Sequence, residues 1–447
     1  MCVTSELPGN IQLEGMKKRE ERNSAFRMAH QEDFGDQYLP GQRRGVTMVS
    51  RLQCVQSAVA TQIKGLIRQN PRVKVGLITF SNDVTIIGDG SEEPVIVTGD
   101  KLHSWDELQK IGSAYTVKKS IKKVKDNLLG KLWDLEEGGA TALGPALQLG
   151  IGIAGSRPGS SVILCTDGLA NIGLGSLEGK ETQFTPYYTE LAEQAKLKGV
   201  SVSVISLIGS ECSLENLSNV TEQTGGSVKR VDPIELTGEL SCLADLPILG
   251  YTTMAMFLLH RGLRFKNEMD DENENRNWVV KDLGNVRADT EITVAYSFRS
   301  KEEYDLTNIE QIPFQLQLMY TKPNGVQYLR TATTMLNVTN NRSEAEQNAD
   351  VTVIGTYAAQ RAAKFAKEGD YEKAQMEARS AQRFLVRNGL DENKLSKWNA
   401  QVQRVDDAVI SEKKKEKSAP MRNRKFRGDA AVEAFSKNKA AKSDDLF

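Results

Sequence analysis

The chain has 447 residues, room for two or three domains, and its 39% hydrophobic and 26% charged residues exclude bulk disorder. With 58 basic residues against 59 acidic ones the formal net charge is −1, which argues against a general nucleic-acid binder. Five cysteines are scattered singly with no C-x-x-C pair, so neither a zinc site nor a disulfide framework is supported.

The N-terminus, Met1-Cys2-Val3-Thr4, has no basic or apolar leader pattern, so no signal peptide is expected and the chain is read as cytoplasmic. Residues 1–45 are polar, with no sustained period, and are expected to be loop or disordered. From Thr47 to Gln69, apolar residues at Val49, Leu52, Val55, Val59, Ile63 and Leu66 predict a helix that Pro71 ends. Val73 to Phe80 reads as a buried strand, and Val84–Ile87 and Val95–Val97 as shorter ones. Val117 to Leu132 is helical, Gly138-Gly139 breaks it, and a helix of small residues starts near Thr141.

Ser161–Cys165 is a strand running into Thr166-Asp167-Gly168. Helices at Tyr187–Lys198 and Leu214–Thr224 then alternate with strands at Val200–Ile208 and Ser227–Val231. Such alternation predicts an α/β fold, a doubly wound and mostly parallel sheet, over residues 46–247.

Past Pro247 the pattern changes. Trp278–Phe298 and Phe314–Val338 alternate at period two around a Pro323-Asn324-Gly325 turn, predicting an antiparallel β-sandwich-like region over 248–343. The longest apolar run, Met254–Leu259, is far too short for a membrane span of ~20 residues. Residues 344–410 return to a helical period, with Gly369-Asp370-Tyr371 as the corner of a helical hairpin. Residues 411–447, with eleven Lys and Arg against six Asp and Glu, are expected to be a disordered charged tail.

Two segments carry chemistry. Gly138-Gly139-Ala140-Thr141-Ala142-Leu143 lies at a loop-to-helix junction, and Leu164-Cys165-Thr166-Asp167-Gly168 at the C-terminal end of a strand. In open α/β sheets ligands collect where strand carboxyl ends meet loops, and a hydroxyl and a carboxylate there are hard donors for Mg²⁺, Mn²⁺ or Ca²⁺. By themselves, Thr141 and Asp167 read more simply as a helix cap and a turn residue, which are common at such ends in any α/β domain.

Two other motifs fall short. Gly150-Ile151-Gly152-Ile153-Ala154-Gly155 matches a dinucleotide fingerprint but follows a helix instead of a strand, and Gly179-Lys180-Glu181 lacks the leading Gly and the Ser or Thr of a phosphate loop.

The order of Val75-Gly76-Leu77-Ile78-Thr79-Phe80, Gly138 to Leu143 and Leu164 to Gly168 resembles the von Willebrand factor A family. Ser50-Arg51-Leu52-Gln53, preceded by a long polar insertion, is most similar to the A domain of circularly permuted Ras proteins. The resemblance implies that Thr141 ligates a divalent cation, that Asp167 supports it through water, and that a protein partner offers an acidic residue to complete the coordination. The family's opening D-x-S-G-S strand, which the resemblance implies would lie between the strands at Val73–Phe80 and Ser161–Cys165, is absent. The chain starts where that motif would just have ended, so a shortened form of a longer protein is expected, with Mg²⁺ binding weak or lost. The expected function is non-enzymatic protein binding, with a metal-independent scaffold as the alternative.

Overall fold

The protein is described by a computed structural model over residues 4–8, 46–136, 138–177, 184–208, 212–232, 235–244, 247–266, 268, 276–418, 428–439 and 441–446. β1 (Thr4–Pro8) pairs antiparallel with β2 (Val46–Ser50), so part of the stretch expected to be loop is strand. Residues 1–3 and 9–45, the rest of that stretch, lie outside the described residues. Helix α1 (Arg51–Gln69) starts four residues later than its apolar period suggested. Ser50 accepts from the Gln53 N–H, and the Gln53 side chain accepts from the Ser50 N–H, a capping box that fixes the entry.

β3 (Leu77–Phe80), β4 (Val84–Gly88) and β5 (Val95–Val97) form an antiparallel ladder. Helices α2 (Trp105–Ala114), α3 (Ile121–Trp133) and α4 (Leu143–Ala154) follow. Then come β6 (Ser161–Thr166), α5 (Phe184–Leu197), β7 (Ser201–Leu207), α6 (Leu214–Gln223), β8 (Val228–Val231) and α7 (Leu236–Ala244). β6, β7 and β8 pair in parallel. The architecture is α/β, as expected. Val202 and Val204 face a core built with α4, α5 and α6. Ile205 and Leu207 face the other core, built with Cys54 and Ala58 of α1 and Leu236 and Leu240 of α7. Helices therefore cover both faces of the parallel ladder.

One expectation is corrected. The strands were expected to form a single sheet, yet among the described residues no ladder joins β3 to β6. The two strands nevertheless share their covering helices. A Cβ at Gly150 of α4 would lie 3.5 Å from Val162 of β6 and 3.7 Å from Ile78 of β3. On the other face, Val59 of α1 packs both against the cluster around Ile63 and Ile121 that Leu77 joins and against the cluster around Cys54 and Ile205 that Ile163 and Cys165 join. The break falls between the two strands that the resemblance placed on either side of the absent motif strand. All four residues of β3 are only half-buried, whereas all seven of β7, which has a partner on each side, are buried.

β9 (Ile248–Leu259), β10 (Leu263–Phe265), β11 (Trp278–Arg287), β12 (Tyr296–Phe298), β13 (Gln311–Thr321) and β14 (Gln327–Asn337) make up the antiparallel region. Four of them form a sheet in the order β11-β9-β13-β14, and β10 and β12 form a separate pair. The pair packs on the sheet through Leu263 and Phe265, which meet Leu259, Val279 and Ile312.

The helical part comprises α8 (Arg342–Gln347), α9 (Val351–Glu368), α10 (Tyr371–Arg387), α11 (Glu392–Ser418), α12 (Asp429–Lys439) and α13 (Ser443–Leu446). Gly369, at φ 88°, makes the corner between α9 and α10. The tail expectation is also corrected. Residues 411–418 continue α11, and α12 and α13 are ordered helices that bury Val432, Phe435 and Leu446. Spaced apolar residues inside a charged segment suffice to dock it. Residues 419–427 lie outside the described residues.

Candidate functional site

The loop before α4 bridges the C-terminal ends of the two separated strands. Ala140 N–H donates to Asn82 Oδ1 at 2.7 Å and Ala142 N–H to the Ser81 carbonyl at 2.9 Å, both just beyond β3. Gly139, at φ 84°, lets the backbone turn there, where a Cβ would lie 3.0 Å from the Ser81 Cβ. From the β6 side, Asn171 holds Thr141 twice. Its Oδ1 accepts the Thr141 N–H at 2.6 Å, and its own N–H donates to the Thr141 carbonyl at 3.1 Å.

Both sequence-expected site residues arrive at this edge. Asp167 directly follows β6 and is exposed, and a Cβ on the adjoining Gly168 would lie 3.4 Å from Thr141 Oγ1. Thr166 Oγ1 accepts the Gly168 N–H at 3.4 Å and donates to the Gly168 carbonyl at 3.1 Å, which tightens the turn. Next to it, burial pushes the Cys165 thiol up to about 12, so it stays protonated at neutral pH.

Sequence reasoning gave no site role to Arg51. Its side chain is only 10% exposed at the N-terminus of α1, with Nη1 3.4 Å from Asp167 Oδ2 and Nη2 3.3 Å from the Ile208 carbonyl beyond β7. Its Nε is buried without a hydrogen-bond partner. Arg51 and Asp167 are 116 residues apart, so no local pattern announces the pair. Asn171 was legible only as another polar residue in the same loop as Asp167.

A hard dication needs ~6–8 oxygen donors converging at ~2.0–2.6 Å. The edge brings the Thr141 hydroxyl near the Asp167 segment, but the Asp167 carboxylate already faces a guanidinium. Among the described residues no group of three or more His, Cys, Asp or Glu converges. These residues do not fit a divalent-cation centre.

No family model matches the chain. It is 33% identical over 356 residues to circularly permutated Ras protein 1 of Dictyostelium discoideum, an alignment covering 78% of this chain and 41% of that protein. It is 24% identical over 316 residues to protein transport protein Sec24A of Bos taurus, covering 65% of this chain and 28% of that protein. The chain thus spans less than half the length of these curated relatives. Among solved structures, the human COPII-coat protein Sec24c superposes with a TM-score of 0.56 at 13% identity, over 88% of this chain and 56% of that one. A von Willebrand factor type A protein from Catenulispora acidiphila gives a TM-score of 0.48 at 12% identity, over 88% of this chain and 86% of that one. Among the described residues no helix is long and apolar enough to cross a membrane.

Proposed function

We propose that the chain carries a von Willebrand factor A-type domain and is a non-enzymatic protein-binding module whose contact edge holds Thr141, Asp167 and Arg51 and works without a metal ion. The observation that carries this reading is the Arg51–Asp167 pair at 3.4 Å, which places a buried guanidinium against the carboxylate that a cation would need. The loop is clamped from both sides, so the edge presents a fixed shape and loses little entropy on binding. The expected acidic partner residue depends on a cation. Without one, the 49% exposed Asp167 side chain favours a basic or hydrogen-bond-donating partner. Free Cys54 and Cys165 fit a reducing, cytosolic setting.

The second reading, a cation held by Thr141 and Asp167 and completed by an acidic partner, is favoured by the nearness of the Thr141 hydroxyl to Gly168. Calorimetric titration with Mg²⁺ and Mn²⁺ separates the two. The metal-independent reading expects no saturable heat. Saturable binding that Thr141→Ala abolishes would overturn it in favour of the cation. In parallel, proteins retained by the immobilised chain should be held equally in EDTA and in Mg²⁺. Asp167→Lys should weaken their retention by about tenfold or more. Retention unchanged by Asp167→Lys would move the contact surface elsewhere.

A further inference from the structure

β14 forms one edge of the four-stranded sheet, and all eleven of its residues are exposed. The opposite edge, β11, is covered. Its Gly284 sits too tightly against the Gln223 carbonyl of α6 to admit a Cβ, and its Asp282 pairs with Lys196 of α5. Natural edge strands are blunted by charge, proline, bulges or shortness. β14 shows little of this. It runs in regular register with β13 over eleven residue pairs without a bulge, contains no proline, and has Arg330 as its one charge. Leu329 is 68% exposed and Met335 51%, a large solvent-facing apolar surface on a strand whose outer edge has no ladder among the described residues.

We propose that β14 pairs antiparallel with β14 of a second copy of this chain, about a two-fold axis through Ala332, joining two four-stranded sheets into one. The strand is self-complementary in that register. Leu329 falls opposite Met335, Tyr328 opposite Leu336, and Arg330 opposite Thr334, so apolar meets apolar and no like charges face each other. In an antiparallel pair, residues whose backbone groups point outward must pair with residues of the same kind, so only every second register is allowed. A register pairing Ala332 with Ala332 meets that condition. Two-fold pairing also closes: each copy has one such edge, so assembly stops at the dimer.

Analytical ultracentrifugation of the full chain from low to high micromolar concentration tests the proposal. The expected result is a reversible monomer–dimer equilibrium. Ala332→Lys sets two lysines side by side on the axis and should raise the dissociation constant about fivefold or more, and Ala332→Asp should do the same. An equimolar mixture of the two variants should recover dimers. Leu329→Lys, on the opposite face of the strand, should also weaken pairing. Both substituted positions, Ala332 and Leu329, are exposed, and far-UV circular dichroism checks that the variants keep the fold. A wild type that stays monomeric, a wild type that grows past the dimer, or a dimer indifferent to both Ala332 substitutions overturns the proposal.

Discussion

Where α2 crosses α4, a Cβ on Gly152 would lie 2.9 Å from the Gly112 Cα, closer than side chains tolerate. Two glycines let the helix backbones touch, and this packing accounts for Gly152, one of the glycines in the stretch that mimics a dinucleotide fingerprint. Gly152→Val should therefore cost ~1–3 kcal/mol through overpacking, read as a lower urea midpoint at unchanged slope. Gly130 is the contrast. It lies in α3 with nothing within 4 Å of its Cβ position, so Gly130→Ala should stabilise by ~0.5–1 kcal/mol. If both substitutions acted alike, the close crossing of α2 and α4 would not be the cause.

At the scale of elements, α12 acts as a strap across the molecule. The N-terminus of α6 has no cap of its own, because Ser213 sits at φ 55° without a side-chain bond to the helix. Asp429, fully buried at the start of α12, supplies the cap instead. Its carboxylate accepts from the Leu214 N–H at 2.7 Å and from the Cys212 N–H. At the other end of α6, Glu222 meets Lys367 of α9 at 2.6 Å and Lys439 of α12 at 2.7 Å. Burial alone would raise the Glu222 carboxyl, but the two lysines hold it below its ordinary value.

A depressed folded value means that this contribution is complete above the unfolded carboxylate range and is lost as pH falls through the folded value. Glu222→Gln should cost ~1–3 kcal/mol at neutral pH and progressively less in acid, and hydrogen exchange should show α12 opening first. A cost that stayed constant with pH would mean that the charge of Glu222 plays no part in the docking.

At the scale of the whole molecule, the α/β domain contains two three-stranded ladders that share the covering helices α1 and α4. Among the described residues the free edges of β3 and β6 lack ladder partners, and unpaired backbone groups cost stability wherever water does not reach them. Their half-buried side chains also forgo part of the ~25 cal/mol per Å² that full burial yields. The two ladders should therefore not melt as one unit. Far-UV circular dichroism and tryptophan fluorescence are expected to give broad, non-coincident thermal transitions. A single sharp and reversible transition would show that the helices alone couple the ladders.

Repeating patterns in the sequence already determine the order of strands and helices in the α/β domain, the antiparallel period-two strands around Pro323 to Gly325, and the hairpin at Gly369. Each is written within a few neighbouring residues, as alternation at period two or 3.6 or as a turn residue. The sequence also places Thr141 and Asp167 at strand and helix ends. What it could not supply were the contacts that span the chain. Arg51 meets Asp167 from 116 residues away, and Asp429 caps Leu214 from 215 residues away. The charge of the C-terminal segment suggested disorder, but Val432 and Phe435 find buried partners across the molecule. Only the tertiary structure brings these groups together, because Coulombic and apolar contacts depend on distance in space and leave no period in the chain.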